Sequence, residues 1–201
     1  MMMGQKPLIV PLLRISGVEN HTGTSWVAPA SAAVGDLIIA TRLASGGTAF
    51  AMGADFTLIG DNSSASYKIS TNYRIVTSAG ATHTIPSGGI GVIWSVWRAG
   101  TFNASAPASG FSTAVDATHS NITWPSATVA ATAVVIGGAW SAVNMQPGII
   151  PGATLLSENA ASRYSREFFK VGGWAGQVVT NDPAGTVGQR QTRYYFTVAG
   201  A

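Results

Sequence analysis

Apolar and polar residues alternate with a period of two along most of this chain. In YKISTNYRI, Tyr67, Ile69, Thr71, Tyr73 and Ile75 share one face, and Lys68, Ser70, Asn72 and Arg74 share the other. That is the pattern of a half-buried antiparallel strand. In RYYFTV, Tyr194, Phe196 and Val198 alternate with Arg193, Tyr195 and Thr197. In VIWSVW, Val92, Trp94 and Val96 oppose Ile93, Ser95 and Trp97, which predicts cover on both faces. GDLIIATRL is a continuous aliphatic run, as expected of a strand deep in a sandwich. Gly, Pro, Asn and Asp punctuate the chain too often for a long apolar stripe at helical spacing. The pattern predicts an all-β fold, an antiparallel β-sandwich.

The pattern also occurs twice. WVAPASAAVGDLIIATRLAS (Trp26–Ser45) and WPSATVAATAVVIGGAWSAV (Trp124–Val143) each open on tryptophan, pass proline and small residues, and enter an aliphatic run. Leu37 and Val134 are 97 residues apart, as are Thr57 in ADFTLIG and Thr154 in GATLLSE. YKISTNYRIV is followed at a similar offset by RYSREFFKVG. Two copies are too few for a solenoid. Two similar four-strand halves suit a double-sheet jelly roll of about eight strands. The other arrangement is two small domains joined through the Gly/Ser/Ala-rich stretch 100–122. A single domain over 16–201 is preferred, because each half alone has few large core residues. Residues 1–15, with two prolines, are expected to form an N-terminal arm or edge strand.

The ordered motifs carry a family resemblance. Trp26 to Pro29, Gly35 to Ile39, Phe56 to Gly60, Tyr73 to Thr77 and Ile93 to Gly100 resemble the jelly-roll β-sandwich domains of tailed-bacteriophage virion proteins, of tail, fibre and head-decoration type. The resemblance spans residues 25 to about 198. It implies a virion structural protein, made in the bacterial host cytoplasm and placed on the head, neck or tail. The chain has no coiled-coil or triple-β stalk of the kind long fibres carry.

Composition sharpens the expectation of assembly. Only 9% of the 201 residues are charged, against roughly 25% in ordinary globular domains. A monomer so poor in charge is prone to associate. A homo-oligomer is therefore expected, with a trimer favoured and other virion proteins as further partners. The apolar, proline-interrupted N-terminal segment, Leu8, Ile9, Val10, Leu12 and Leu13, is the candidate interface. The net charge of +3 comes from scattered Lys and Arg without a basic stripe, which argues against nucleic-acid binding. No apolar stretch is long enough for a membrane helix, so no membrane insertion is expected.

Candidate chemistry is sparse. There is no cysteine. No G-x-S-x-G elbow, H-E-x-x-H pair or EF-hand loop occurs, so no catalytic residue, cofactor or metal site is assigned. His21, His83 and His119 stand in polar contexts that suit the surface. Asp36 after Gly35 suits a turn, as do Asp61-Asn62 and Asn181-Asp182. A glycosidase would need two of the eight acids about 5–9 Å apart. Trp26 and Trp124 occupy equivalent repeat positions and Trp94 alternates with valines, so all three are expected in the core. Trp97, Trp140 and Trp174 are the candidate glycan contacts, since indole rings stack on sugars. The leading reading is a non-enzymatic virion structural protein. The alternatives are a module that binds host-surface glycan and, behind it, a glycan hydrolase.

Overall fold

The structure, a computed structural model, describes residues 8–20, 23–45, 51–62, 67–116, 121–141, 146–159, 164–181 and 191–201. Its strands are β1 (Leu13–Asn20), β2 (Ser25–Val27), β3 (Leu37–Ser45), β4 (Thr57–Asn62), β5 (Tyr67–Ile75), β6 (Thr82–Thr84), β7 (Gly89–Trp97), β8 (Ala108–Asp116), β9 (Asn121–Trp124), β10 (Ala127–Thr128), β11 (Val134–Ser141), β12 (Thr154–Asn159), β13 (Tyr164–Val171), β14 (Gly173–Trp174), β15 (Gln177–Thr180) and β16 (Gln191–Val198). All strand pairings are antiparallel.

The antiparallel sandwich is as expected. One five-stranded sheet has the order β1-β7-β3-β5-β4, and the other β12-β13-β11-β16-β8. Each sheet thus belongs to one half of the chain, and this division, not a jelly-roll winding, organises the fold. Read strand for strand, the halves match: β1 with β8, β3 with β11, β4 with β12, β5 with β13 and β7 with β16. Each half therefore gives five strands to its main sheet, not four. It also forms a short outer pair, β2 with β6 and β9 with β15. Leu37 and Val134 hold the same place, each pairing with the end of its half's last strand, at Trp97 and Val198.

The alternation of each strand sends side chains into two different cores. From the main sheets, Leu37, Ile39, Leu43, Ile69, Ile93 and Trp97 face Val134, Ile136, Trp140, Tyr194, Phe196 and Val198 in the joint between the sheets. The intervening Ile38, Ala40, Val92 and Val96 point outwards and are covered by Trp26, Phe56 and Ile85. Val135, Ala139 and Phe168 are covered in the same way by Ile122, Trp124, Ile150 and Trp174. The central strands of both main sheets are thus buried on both faces. This corrects the half-buried reading of β5, whose polar face is also closed: Ser70 and Asn72 have almost no exposure.

The two sheets meet with β1 against β12 and β4 against β8. Ser16 Oγ donates to the Leu156 carbonyl at one side. At the other, Asn62 Nδ2 donates to Thr113 Oγ1 over 3.1 Å. Trp97 meets Phe169 edge-on across the joint, ring centres 5.4 Å apart. The edge strands β4 and β12 carry a bulge at the same place, between Leu58 and Gly60 and between Leu155 and Ser157. A bulge at an edge blunts the free hydrogen-bonding row. Asp61 and Asn62 end β4 and do not form the expected turn.

Gly60 leaves room for the partner sheet. A Cβ there would lie 2.3 Å from ring atoms of Phe111 on β8. Gly60→Ala should cost about 1–3 kcal/mol through overpacking. In a Phe111→Ala background the same change should cost much less. Urea unfolding of the four variants checks this coupling, and strictly additive costs would place Phe111 away from Gly60.

Candidate functional site

The N-terminal segment reaches one end of the sandwich and is tied down by backbone bonds. Ile9 N–H donates to the Ala201 carbonyl (3.0 Å), and Arg98 N–H donates to that of Leu12 (2.8 Å). Leu12 N–H donates to Thr101 Oγ1 over 3.0 Å. Gly200 lacks the Cβ that would strike the Ile9 carbonyl at 2.3 Å. Val10 and Leu13 turn into the joint core. Leu8, Ile9 and Leu12 turn outwards, with 71%, 43% and 51% of their surface exposed. Of the five candidate interface residues, two therefore serve the chain's own core and three stand in solvent. Exposed Val34, before the first residues of β3, and Val171, the last residue of β13, lie at the same end of the strands. Among the described residues, this end gathers five of the ten exposed large apolar side chains.

The candidate glycan contacts lie elsewhere. Trp97 and Trp140 are sealed in the joint, and Trp174 lies in the outer core of the second half with 6% exposure. Trp174 Nε1 donates to the Pro125 carbonyl (2.8 Å), and Trp97 Nε1 to Ser95 Oγ (3.0 Å). Rings packed in this way offer no face to a sugar, which corrects the expectation for all three. Trp26 and Trp124 are core residues, as their repeat positions predicted.

Several acids are engaged locally. Buried Asp36 accepts from Ala33 N–H (3.0 Å) and Ala99 N–H (2.9 Å) and pairs with Arg14 Nε (2.7 Å). It secures the turn into β3, the role read for it from sequence. Glu19 accepts from Trp26 Nε1 (2.7 Å). Glu158 pairs with Arg166 Nε (2.9 Å). Asp55 lies 3.2 Å from His83 Nδ1, and Arg74 Nη1 lies 2.8 Å from the same nitrogen. His83 sits on β6 and is buried against Trp26 and Phe56, contrary to the surface position expected of it. His21, His119 and Asp182 lie outside the described residues. Among the described residues, no group of three or more His, Asp or Glu could hold a metal.

The matching halves offer an internal comparison. From the strand registers, Thr41, Thr71 and Ile93 sit side by side in the first sheet where Gly138, Glu167 and Tyr194 sit in the second. Tyr194 lies across Gly138, whose absent Cβ would meet the phenol at 2.3 Å. Its hydroxyl donates to Glu167 Oε1 (2.7 Å), and Thr41 Oγ1 reaches the same oxygen from the other sheet (3.3 Å). Thr41 and Thr71 hydroxyls share a further bond of 3.0 Å. Glu167 Oε2 is buried without a hydrogen-bond partner. Burial pushes the Glu167 carboxyl up to about 7, with the bonds from Tyr194 and Thr41 opposing the rise. Burial, with the Glu167 charge beside it, holds the Tyr194 phenol well above its ordinary value.

Sequence reasoning missed this cluster. The signal was present in YSREFFKV, where alternation sets Glu167 on the same face as Phe169. No family model matches the chain, and no curated protein or solved structure matches it significantly, so its residues alone carry the functional reading.

The folded chain keeps the Glu167 proton across a pH range in which the unfolded chain has released it, from 4.5 to about 7. Stability should therefore fall as pH rises through that window and level off above it. The loss should amount to about 3 kcal/mol at most. Glu167→Gln should remove this component and be the more stable protein at pH 7.5, as measured by urea unfolding at pH 4.5, 6 and 7.5.

Proposed function

We propose that this chain is a non-enzymatic structural subunit of a bacteriophage virion, working as one of several copies. The observation that carries the reading is the apolar end of the sandwich. There, Leu8, Ile9 and Leu12 are held outward by a backbone that is itself hydrogen-bonded in place. Pinned apolar side chains present a preformed surface, so burying them against a second copy costs little ordering entropy. Apolar surface of this kind marks an association site in a soluble protein. The trimer remains the favoured stoichiometry. The virion setting rests on the resemblance of the ordered sequence motifs, Trp26 to Pro29 through Ile93 to Gly100, to domains of tailed-phage virion proteins, and not on the winding of the strands.

The non-enzymatic reading is supported by the local engagement of Asp36, Glu158 and the Asp55–His83–Arg74 group, each held by structural partners. With Trp97, Trp140 and Trp174 buried, no particular observation favours the glycan-binding alternative.

Leu8→Ser with Leu12→Ser tests the reading, since both side chains point away from the core and folding should be retained. Light scattering should give an oligomer for the parent chain and a smaller species for the double variant. A parent chain that is monomeric at high concentration, with no affinity for other virion proteins, would sink the proposal.

A further inference from the structure

Glu167 occupies the middle of the joint between the two main sheets, and nothing in the architecture requires it there. The corresponding place in the first half is filled by Thr71. One carboxylate oxygen is held from both sides of the joint, by Tyr194 of its own sheet and Thr41 of the facing sheet. The other oxygen is enclosed and has no partner.

Among the described residues, no cation faces Glu167 to balance a charge. On the described joint-facing positions, β3 presents Leu37, Ile39, Thr41 and Leu43, and β5 presents Ile69, Thr71, Tyr73 and Ile75. From β7 come Ile93, Ser95 and Trp97, and from β1 Ser16 and Val18. On the side of Glu167, β11 contributes Ile136, Gly138 and Trp140, β12 Leu156 and Ser157, and β16 Thr192, Tyr194 and Phe196. The titratable groups among these are Tyr73 and Tyr194. No Lys, Arg or His of the described residues faces the carboxyl.

We propose that Glu167 is a proton-operated catch between the two sheets: protonated, it lets the joint close fully, and ionised, it places an unbalanced charge between them and eases them apart. Opening lets water reach the carboxylate, which is the only relief available to a buried anion without a cation. The joint is then tightest in acid and loosens towards neutral pH. For a carboxyl raised from 4.5 to about 7, the open population grows about tenfold per pH unit across that interval and is constant above it. Because each half keeps its own sheet, the halves can part at the joint without breaking a strand ladder.

The chain has no cysteine, so a single engineered thiol reports opening cleanly. Ser165→Cys places one two residues from Glu167 at a fully buried position facing the joint. Ala32→Cys places one in the outer core of the first half as a control. Labelling by an aromatic disulfide is followed from pH 5 to 8 with Glu167, with Glu167→Gln, and with Glu167→Thr, which copies the other half. Dividing the rates by those of the Gln or Thr background removes the ordinary pH dependence of thiol reactivity. The expected result at position 165 is a ratio rising at least 30-fold between pH 5 and 7 and then levelling off, at labelling rates well above those at position 32, which is reached only when the whole domain unfolds. A constant ratio at position 165 would overturn the proposal. So would labelling at position 165 no faster than at position 32 across the range, which would mean global unfolding and no separate movement of the joint.

Discussion

Burial of the central strands of both main sheets on both faces is the constraint from which the rest follows. A sheet exposed on one side can carry charge on alternate residues. Here the outer faces are covered by β2 with β6 and by β9 with β15, and the inner faces cover each other. Neither face of β3 or β11 can then carry ordinary charged residues. Arg42, the one cation of β3, is drawn inside, with its Nη atoms donating to the Ala51 and Pro86 carbonyls. The low charge of the chain is accordingly in part a property of this layering within one molecule. Composition alone therefore says less about subunit interfaces than it first suggests, and the apolar end carries that weight instead.

Close layering also explains the glycines. Gly137 and Gly138 are neighbours on β11, and large rings from adjacent strands lie across them, Phe168 on the outer face and Tyr194 on the inner. Gly17 does the same for Trp94. Each glycine makes space for an aromatic ring that then fills the layer, and a methyl group would displace the ring. A glycine usually weakens a strand, and here the ring laid over it offsets that cost.

The repeat and the all-β class were legible because both rest on local patterning. Trp26 and Trp124, and Leu37 and Val134, keep the same environments because the same layers close over them. The last strands were harder to align, since Trp97 and Val198 are 101 residues apart while the earlier landmarks Trp26/Trp124 and Leu37/Val134 are 98 and 97 apart. Alternation reports which residues share a face, but not what covers it. That is why the polar face of β5 read as solvated, and why Trp97 and Trp140 stayed candidates for sugar contact. His83 misled for the same reason: its neighbours in sequence are polar, while its neighbours in space are Trp26 and Phe56.

The central claim is that each half of the chain builds its own sheet and that the two meet face to face. Cross-strand Hα–Hα and amide contacts in a nuclear Overhauser spectrum test it most directly. Close main-chain contacts should link Thr41 with Thr71 and Ile93, and Gly138 with Glu167 and Tyr194. Between halves, only side-chain contacts such as Trp97 with Phe169 should join the main sheets. Main-chain ladders running between β3, β5 or β7 and β11, β13 or β16 would contradict the account.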